Sequence, residues 1–413
     1  MKRILFISHA SGLYGAERSL VELIKLLDKE CLVPVVVLPK KGPLEIELTN
    51  LGVITYRVRL PSWHYPSWNH GRNFRFRSEF VIAMIKTVLK LLLFGVTATV
   101  RIHSIIKKER IDLVYTNSSS IYSGALAALI AKRPHLWHIH ENLDRQTNGF
   151  RFILSNKVSF TIICMLSNTI IANSKSTAEQ FDQVMHHNKV VVIYDGIDPE
   201  EYGKADWDID PLEETKGKWK VAVIGSLHEF KAQDDAIRAI DIARDIIPEI
   251  KLIIIGDGRK TYKDYLMNLS NDLGLSDRVL FTGYRKDVPH ILADMEAVII
   301  PSITESFGRV AIEAMAAGVP VIAANVGGLS EIVKDDFNGI LVSARDPKAI
   351  ADKLAYLFAN PQKSEEYRKN AREWVCNNFS LVTYARGIEE LILSFTGASD
   401  SDTPTAYPID LNC

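Results

Sequence analysis

The chain has 413 residues, of which 47% are hydrophobic and 24% are charged, and its formal net charge is −1. This composition is typical of a globular protein long enough for two domains, and it excludes a disordered chain. The charge argues against bulk nucleic-acid binding, for which a basic excess is usual. The four cysteines, at positions 31, 164, 376 and 413, lack metal-ligand spacing, which is typical of reduced thiols in a cytosolic protein.

The N-terminus reads MKRILFISHASG. Its apolar run is too short for a signal peptide, so we interpret it as a first strand. Short runs rich in valine and isoleucine then alternate with helical stretches, for example VPVVVLP and IDLVYTN early in the chain and KLIIIGDG and EAVIIPS later. Nearly continuous apolar runs predict strands covered on both faces, hence parallel sheets. The alternation in both halves predicts two doubly wound α/β domains.

The domain boundaries are predicted from changes in composition. A polar stretch without strand signals at 204–218 predicts a linker between a first domain at 1–203 and a second at 219–378. An amphipathic pattern predicts a final helix at 379–397, which we expect to pack back toward the first domain. The small, polar tail at 398–413 is predicted to be disordered.

One apolar segment, FVIAMIKTVLKLLLFGVTATV at 80–100, is long enough to span a bilayer. Lys86 and Lys90 fall inside it, and each costs a few kcal/mol at the membrane centre. Two readings stay open, a long amphipathic core helix and a helix lying on a surface. The segment before it, 57–80, is basic and aromatic, which favours docking of 57–100 to an anionic membrane surface. The alternative is a loop that covers the core.

Ligands of open parallel sheets bind beyond the carboxyl ends of the strands, where helix N-termini suit phosphate. In the first half, Gly12 and Gly15 allow the backbone after the first strand to approach a ligand closely. His140 ends the strand candidate HLWHIH and could face such a ligand. We expect His138 and His140 to point to opposite faces of this strand, which argues against a joint metal site.

The second half has several glycine-bearing strand ends. Gly225 and Ser226 follow one strand, and Lys231, near the start of the next helix, could meet a diphosphate as a point charge. Gly256 and Gly283 end two further strands and would permit close approach of flat or charged ligands.

The stretch ITESFGRVAIEAMAAGVPV, 303–321, predicts a loop and then a helix that stops at Gly318. Glu305 lies in the loop, and Glu313 lies just over one turn inside the helix. A carboxylate at Glu313 can accept two hydrogen bonds from ribose hydroxyls, each worth about 1.5–3 kcal/mol. The backbone N–H groups that head the helix can receive phosphate or sugar oxygens, and they belong to Ser306, Phe307, Gly308 and Arg309.

The Glu-x7-Glu spacing from Glu305 to Glu313, followed by AMAAGVPVIAANVGGLSEIV, resembles the retaining glycosyltransferases of family 4. The likeness covers about 1–395 and is strongest over 219–345. It implies the GT-B fold, in which two Rossmann-like domains face a central cleft. The N-terminal domain would then bind the acceptor and the C-terminal domain a nucleotide-diphosphate sugar, with no metal and no other cofactor.

The resemblance also implies roles for single residues. Glu305 would contact hydroxyls of the donor sugar, Lys231 would neutralise the diphosphate, and His140 would lie near the reacting carbon. These three form the predicted catalytic set. The predicted donor-binding set comprises Glu313 on the ribose together with Ser306, Phe307, Gly308, Arg309, Gly225, Ser226, Gly256, Gly283 and Gly15.

The chain departs from the family pattern at two places. Ser226 stands where the family usually has arginine, so that one phosphate cation is missing or is supplied by Arg309 or His228. Asp195, before Gly196, stands where the family has asparagine.

By analogy with the family, we expect a UDP-sugar donor, with a GDP-sugar next. The expected acceptor is a glycan or lipid-linked molecule in surface polysaccharide or lipopolysaccharide biosynthesis, with no nucleic-acid partner. The protein would be cytoplasmic and peripheral at the inner face of the cell membrane. Two alternatives remain open, a non-catalytic GT-B module that binds a nucleotide sugar or a partner, and a soluble transferase making a disaccharide or small glycoside. A nicotinamide dehydrogenase would need G-x-G-x-x-G after a strand, and neither half has it.

Overall fold

A computed structural model describes residues 1–66, 77–143, 150–182, 184, 189–202, 212 and 215–397. The chain divides into two compact units, Met1–Asp195 with Leu381–Cys413, and Gly196–Ser380. This division comes slightly before the predicted boundary at residue 203. The predicted linker lies largely outside the described residues, and the predicted tail lies wholly outside them.

The first unit contains a parallel sheet, a short antiparallel ribbon and the helices around them. Its strands are β1 (Lys2–Ser8), β2 (Leu32–Leu38), β3 (Ile54–Arg57), β4 (His64–Pro66), β5 (Leu113–Asn117), β6 (His135–Ile139), β7 (Phe150–Phe152), β8 (Thr169–Ala172) and β9 (Val190–Val192). Its helices are α1 (Gly15–Leu26), α2 (Pro43–Asn50), α3 (Arg77–Lys108), α4 (Ser123–Ala131), α5 (Asn156–Leu166), α6 (Lys175–Ala178) and, at the end of the chain, α15 (Leu381–Gly397).

The seven strands of the main sheet lie in the order β3-β2-β1-β5-β6-β8-β9 and pair in parallel, while β4 and β7 form the ribbon. Successive residues of β1 serve different cores. Ile4 and Phe6 belong to one buried cluster, and Leu5 and Ile7 belong to another. Because helices cover both faces of the sheet, the central positions 4–7 of β1 are all apolar. The predicted parallel, doubly wound sheet is confirmed.

The second unit repeats this plan. Its strands are β10 (Trp219–Ile224), β11 (Ile250–Ile255), β12 (Val279–Gly283), β13 (Ala297–Ile300), β14 (Val321–Ala324) and β15 (Ile340–Val342). Its helices are α7 (Pro199–Tyr202), α8 (Gln233–Ala243), α9 (Lys260–Asp272), α10 (Val288–Ala293), α11 (Arg309–Ala316), α12 (Leu329–Ile332), α13 (Pro347–Ala359) and α14 (Pro361–Asn378). The sheet order is β12-β11-β10-β13-β14-β15, all parallel.

Helix α3 contains the apolar segment 80–100, which is long enough to span a bilayer. Its C-terminal half buries Ala98, Ile102, Ile105 and Ile106 against the sheet of the first unit. Another face of the same helix leaves four apolar side chains between 59% and 64% exposed, namely Leu89, Leu93, Val96 and Val100. Their spacing of four, three and four residues places them in one row. Among the described helices, none has both the length and the apolar character needed to cross a bilayer.

Of the basic and aromatic stretch 57–80, the structure describes residues 57–66 and 77–80. Trp63 is buried, and its indole N–H donates to the Ser119 carbonyl oxygen over 2.6 Å. The Arg57 guanidinium pairs with Glu45, and that of Arg59 lies 3.9 Å from the centroid of the Phe94 ring. These contacts fit a segment that covers the core, while 67–76 lies outside the described residues.

The final helix, α15, belongs to the first unit although it follows the second in the chain. Tyr384, Ala385, Ile388 and Ile392 are buried in the cluster that also contains Leu20, Leu23 and Ile24 of α1. The apolar positions recur at helical spacing, so one stripe of α15 completes this side of the core.

We therefore predict that Ile388→Ala lowers the free energy of unfolding of the first unit by about 2–5 kcal/mol, because Ile388 is fully buried. Denaturant unfolding followed by circular dichroism measures this change. Val382→Ala, on the exposed side of α15, is the control and should stay within about 0.5 kcal/mol of wild type. Equal effects of the two substitutions would contradict the packing of α15 described above.

Candidate active site

The candidate site lies where the strand order of the second sheet reverses. Strands β11 and β12 lie on one side of β10, and β13, the next strand in the chain, lies on the other side and pairs with β10. The loops that follow β10 and β13 must therefore part to opposite faces, which leaves a crevice at the carboxyl ends of the two strands. Lys231 is on the first of these loops and Glu305 is on the second.

Direct contacts join the two loops. The Ile303 N–H donates to the Phe230 carbonyl oxygen over 2.8 Å. The Lys231 ammonium donates to Glu305 Oε2, and the Ser302 hydroxyl donates to the same oxygen over 3.2 Å. The side chains of Lys231 and Glu305 are 22% and 14% exposed, so the pair is largely shielded but open to solvent on one side. The structure thus brings together two members of the predicted catalytic set.

Lys231 ends a 3₁₀ turn, Glu229–Lys231, that precedes α8. The next residue, Ala232, adopts a left-handed conformation with φ +51°, which is uncommon for a residue other than glycine. This turn directs Lys231 back toward the loop after β13 instead of along α8.

The loop before α11 rests on the start of α12. Gly308 has φ +105°, and a Cβ atom at this position would lie 2.5 Å from Leu329 Cδ2. A Cβ atom at Gly328 would lie 2.5 Å from the backbone of Ser306 and Phe307, and the Gly328 N–H donates to the Glu305 carbonyl oxygen over 3.1 Å. Gly328 therefore lets the backbones of the two segments touch, and Gly308 leaves room for the Leu329 side chain, which together hold Glu305 in place.

The Phe307 ring takes part in packing. It is 2% exposed and meets the Phe379 ring edge-on with 5.8 Å between centroids. The ring is therefore buried inside the second unit, and a ligand contact of Phe307 stays a prediction.

Glu313 is buried one turn inside α11 and is paired with a residue from the same helix. The Arg309 Nε donates to Glu313 Oε1 over 3.0 Å, and Arg309 Nη1 donates to the Gly196 carbonyl oxygen over 3.4 Å. Their side chains are only 11% and 7% exposed. Arg309, one of the two candidates for the cation that Ser226 does not supply, thus neutralises Glu313.

The three strand-end glycines differ in what surrounds them. A Cβ atom at Gly256 would lie 1.9 Å from the Gly225 carbonyl oxygen, so the protein's own backbone requires glycine there. At Gly225 and Gly283 no atom lies within 4 Å of such a Cβ atom, although φ is +140° and +71°. The contact with Gly225 is a sufficient reason for glycine at 256, and close approach of a ligand to Gly256 and Gly283 stays a prediction.

The first unit has its own reversal of strand order, between β1 and β5. Asn117 ends β5, and its amide Nδ2 donates to the Ala16 carbonyl oxygen in the first turn of α1 over 3.0 Å. Its Oδ1 lies 2.8 Å from His140 Nε2. Gly15 begins α1 beside this contact, and a Cβ atom there would meet nothing within 4 Å.

The expectation that His138 and His140 point to opposite faces was wrong. Residues two apart on a strand share a face, and the centroids of the two rings are 3.8 Å apart. With Asp195, their donor atoms lie within 4.8 Å of one another, which is the closest approach to metal-site spacing that the described residues offer. Hydrogen bonds and ring stacking account for this arrangement, and we assign no metal to it.

Sequence reasoning missed Glu141, which follows His140 directly. Its carboxylate accepts hydrogen bonds from the Ser118 hydroxyl, the Ser119 N–H and, over 3.2 Å, the His140 N–H. Burial alone would raise the pKa of Glu141, but the nearby His9 and these hydrogen bonds lower it below its usual value. An acidic residue directly after a strand end was the available signal.

Comparison with known proteins identifies the family. The family model described as glycosyl transferases group 1 matches residues 206–374, and that of glycosyltransferase family 4 matches residues 14–201. An uncharacterised glycosyltransferase of Methanocaldococcus jannaschii is 33% identical over 302 residues, which are 67% of this chain and 74% of that protein.

Two further proteins are similar over most of their length. The Escherichia coli UDP-Gal:alpha-D-GlcNAc-diphosphoundecaprenol alpha-1,3-galactosyltransferase is 25% identical over 335 residues, 77% of this chain and 84% of that protein. The crystal structure of Anabaena HepE in complex with UDP and glucose superposes with a TM-score of 0.79 at 25% identity, covering 95% of this chain and 100% of HepE. The chain therefore belongs to glycosyltransferase family 4, has the GT-B fold, and is a glycosyltransferase that uses a nucleotide-sugar donor.

Proposed function

We propose that this enzyme transfers a hexose from a UDP-sugar, with a GDP-sugar as second choice, to a glycan or lipid-linked acceptor with retention of anomeric configuration. The pathway would be the biosynthesis of a surface polysaccharide or lipopolysaccharide. The observation that carries the proposal is the Lys231–Glu305 pair at the reversal point of the second sheet, with Glu313 behind it in α11. Complexes of HepE with UDP and with UDP-glucose support the choice of base.

The pair suggests how a donor is received. A diphosphate carries more charge than a carboxylate, so it would attract the Lys231 ammonium away from Glu305. Glu305 would then be able to accept hydrogen bonds from the sugar hydroxyls. The N–H groups at the start of α11 would add their partial positive charge to the phosphates. After the exchange, Lys231 would be paired with the diphosphate, and Glu305 would be hydrogen-bonded to the sugar, so neither side chain would lose its polar contacts.

The retaining step would need no protein nucleophile and no metal. The acceptor hydroxyl would attack the anomeric carbon on the face from which the diphosphate leaves, forming the new C–O bond as the old one breaks. The leaving phosphate oxygen would take the hydroxyl proton. Lys231 and the start of α11 would stabilise the negative charge that develops on the diphosphate, as preorganised groups do.

The Glu313–Arg309 pair supports a role for Glu313 on the ribose. Arg309 donates to Oε1, which holds the buried carboxylate in one orientation. A carboxylate fixed in this way accepts hydrogen bonds from vicinal hydroxyls without first having to be ordered. Ser226 leaves the diphosphate with less positive charge than the family pattern provides, which is what favours a non-catalytic binding module as the second candidate.

A lipid-linked acceptor is supported by two observations. The printed name of the Escherichia coli relative describes an acceptor that carries a diphosphoundecaprenol lipid. In this chain, the exposed apolar row on α3, Leu89, Leu93, Val96 and Val100, is followed by the exposed cations Arg101 and Lys107. Apolar side chains beside cations suit an anionic lipid surface. The protein would then be cytoplasmic and attached to the inner face of the cell membrane.

Donor binding is tested by the thermal shift of the full-length protein with UDP, GDP, ADP and CMP. We expect UDP at a hundred times its dissociation constant to stabilise the wild type by about 2.7 kcal/mol. Glu313→Gln should lose most of this stabilisation, because an amide is a weaker acceptor for the ribose hydroxyls. The control, Glu365→Gln on the exposed side of α14, should keep it.

Transfer is then tested by incubating the wild type with UDP-sugars and a prenyl-diphosphate glycan. Proton NMR determines the anomeric configuration of the product. An inverted product would contradict the retaining step. Binding of UDP without turnover of any sugar nucleotide would favour the binding module. If no nucleotide stabilises the wild type, the proposed donor site is wrong.

Membrane attachment is tested by flotation with vesicles of phosphatidylglycerol at low salt. We expect the wild type to float with these vesicles, and Leu93→Ser/Val96→Ser to float several-fold less, because each exposed aliphatic side chain contributes apolar area to the lipid contact. Ile246→Ser, which changes an equally exposed residue of the second unit, is the control and should float as wild type does. Absence of the wild type from the floating fraction would exclude attachment through α3.

A further inference from the structure

His140 is held by two partners from different strands of the first unit. It lies one residue beyond β6 and is 9% exposed. Its Nε2 faces Asn117 at the end of β5, and its Nδ1 faces Asp195 after β9, with 3.8 Å between Nδ1 and Asp195 Oδ2. The protonation state of His140 follows from whether each partner can donate a hydrogen bond to the ring or only accept one.

The contact with Asn117 determines whether His140 Nε2 carries a proton. The amide Nδ2 of Asn117 donates to the Ala16 carbonyl oxygen, which settles the orientation of the amide. The atom that faces His140 Nε2 at 2.8 Å is therefore Oδ1, which can only accept. His140 Nε2 must carry a hydrogen to make this bond.

The Asp195 side decides the proton on Nδ1. A lone pair on Nδ1 would direct its partial negative charge at a carboxylate that is itself 5% exposed, which is electrostatically unfavourable. A proton on Nδ1 turns this unfavourable contact into an ion pair and gives the buried Asp195 charge a cationic partner. Asn173 Nδ2 lies 3.4 Å from the same carboxylate oxygen and helps to hold it in place.

The other charged groups around His140 point the same way. Glu141 follows it in the chain, and Glu17 of α1 is buried nearby and lies 3.3 Å from His9 Nδ1. Burial acts to lower the pKa of His140, but Asp195, with Glu141 and Glu17, outweighs burial and raises it.

The stacked ring of His138 must then be neutral, since two stacked cations would repel each other. Its Nδ1 lies 2.6 Å from the Tyr115 hydroxyl, and burial holds the pKa of His138 well below its usual value.

We propose that His140 works as an imidazolium, with Asn117 accepting the Nε2 proton and Asp195 forming an ion pair with the Nδ1 side of the ring, so that it serves the reaction as a cation and never as a general base. Asp195 is then a positioning residue. The catalytic meaning of this charge rests on the proposed function, whereas the charge itself does not.

The charge is measured directly by NMR titration of the full-length protein labelled at histidine Cε1, with the His140 signal assigned from its absence in His140→Gln. We expect the midpoint of His140 to lie above the ordinary histidine value of about 6.5. In Asp195→Asn the midpoint should fall by about one pH unit or more, because an opposite charge at this distance is removed. Asp182→Asn, the same chemical change at an exposed position of the first unit, should leave the midpoint as in wild type.

The pH profile of kcat/KM tests whether catalysis requires the positive charge on His140. A required cation makes kcat/KM fall as pH rises through the His140 midpoint, whereas a general base makes it rise. With Asp195→Asn, we expect near wild-type kcat/KM at pH 6 and a loss of about tenfold at pH 8, since each unit of lowered pKa removes a factor of ten from the protonated fraction above it.

Each outcome decides one part of the proposal. A wild-type midpoint below about 6.5 overturns it outright, and this result needs no variant to fold. If Asp195→Asn does not fold, Asp195→Ser removes the same charge. A charged His140 with coincident pH profiles in wild type and variant overturns the catalytic role. If no sugar nucleotide is turned over, the proposed function fails while the NMR titration still settles the charge.

Discussion

The ion pair between Lys231 and Glu305 depends on one topological constraint. Strands β10 and β13 are adjacent in the sheet although about seventy residues separate them in the chain, so the loops that follow them start side by side at the carboxyl edge before they part to opposite faces. The hydrogen bond from Ile303 to Phe230 fixes the distance between these loops. Without this contact, Lys231 and Glu305 would each be solvated separately. An ion pair between fully exposed side chains contributes little to stability.

Both units hold their polar groups by the same device, in which each carboxylate near a strand end has a cationic or hydrogen-bonding partner already in place. Glu305 has Lys231, Glu313 has Arg309, and Asp195 has His140. A partly buried carboxylate without such a partner would cost stability. The pairs differ in exposure, since the Lys231–Glu305 pair is the more accessible. This pair is therefore the one best suited to exchange partners with a substrate.

Much of the fold and part of the site could be predicted. Continuous apolar strands indicated parallel sheets, because both faces of β1 are covered. The spacing of Glu305 and Glu313 predicted a loop acid and a helix acid, as observed. The opposite facing of His138 and His140 was predicted wrongly. The role of Gly256 could not be inferred, because the carbonyl that excludes its side chain belongs to another strand end.

The sequence by itself determined the local properties of this protein: which segments form strands and helices, where helices end, and which residues stand at strand ends. It also determined the family, through a motif within one loop and one helix. Only the tertiary structure decided the partners of the charged groups. Arg309 with Glu313 follows helix spacing, but Lys231 with Glu305, and His140 with Asn117 and Asp195, join residues far apart in the chain. Charge pairing depends on distances of a few ångströms, which are set by sheet order and loop conformation and not by sequence separation.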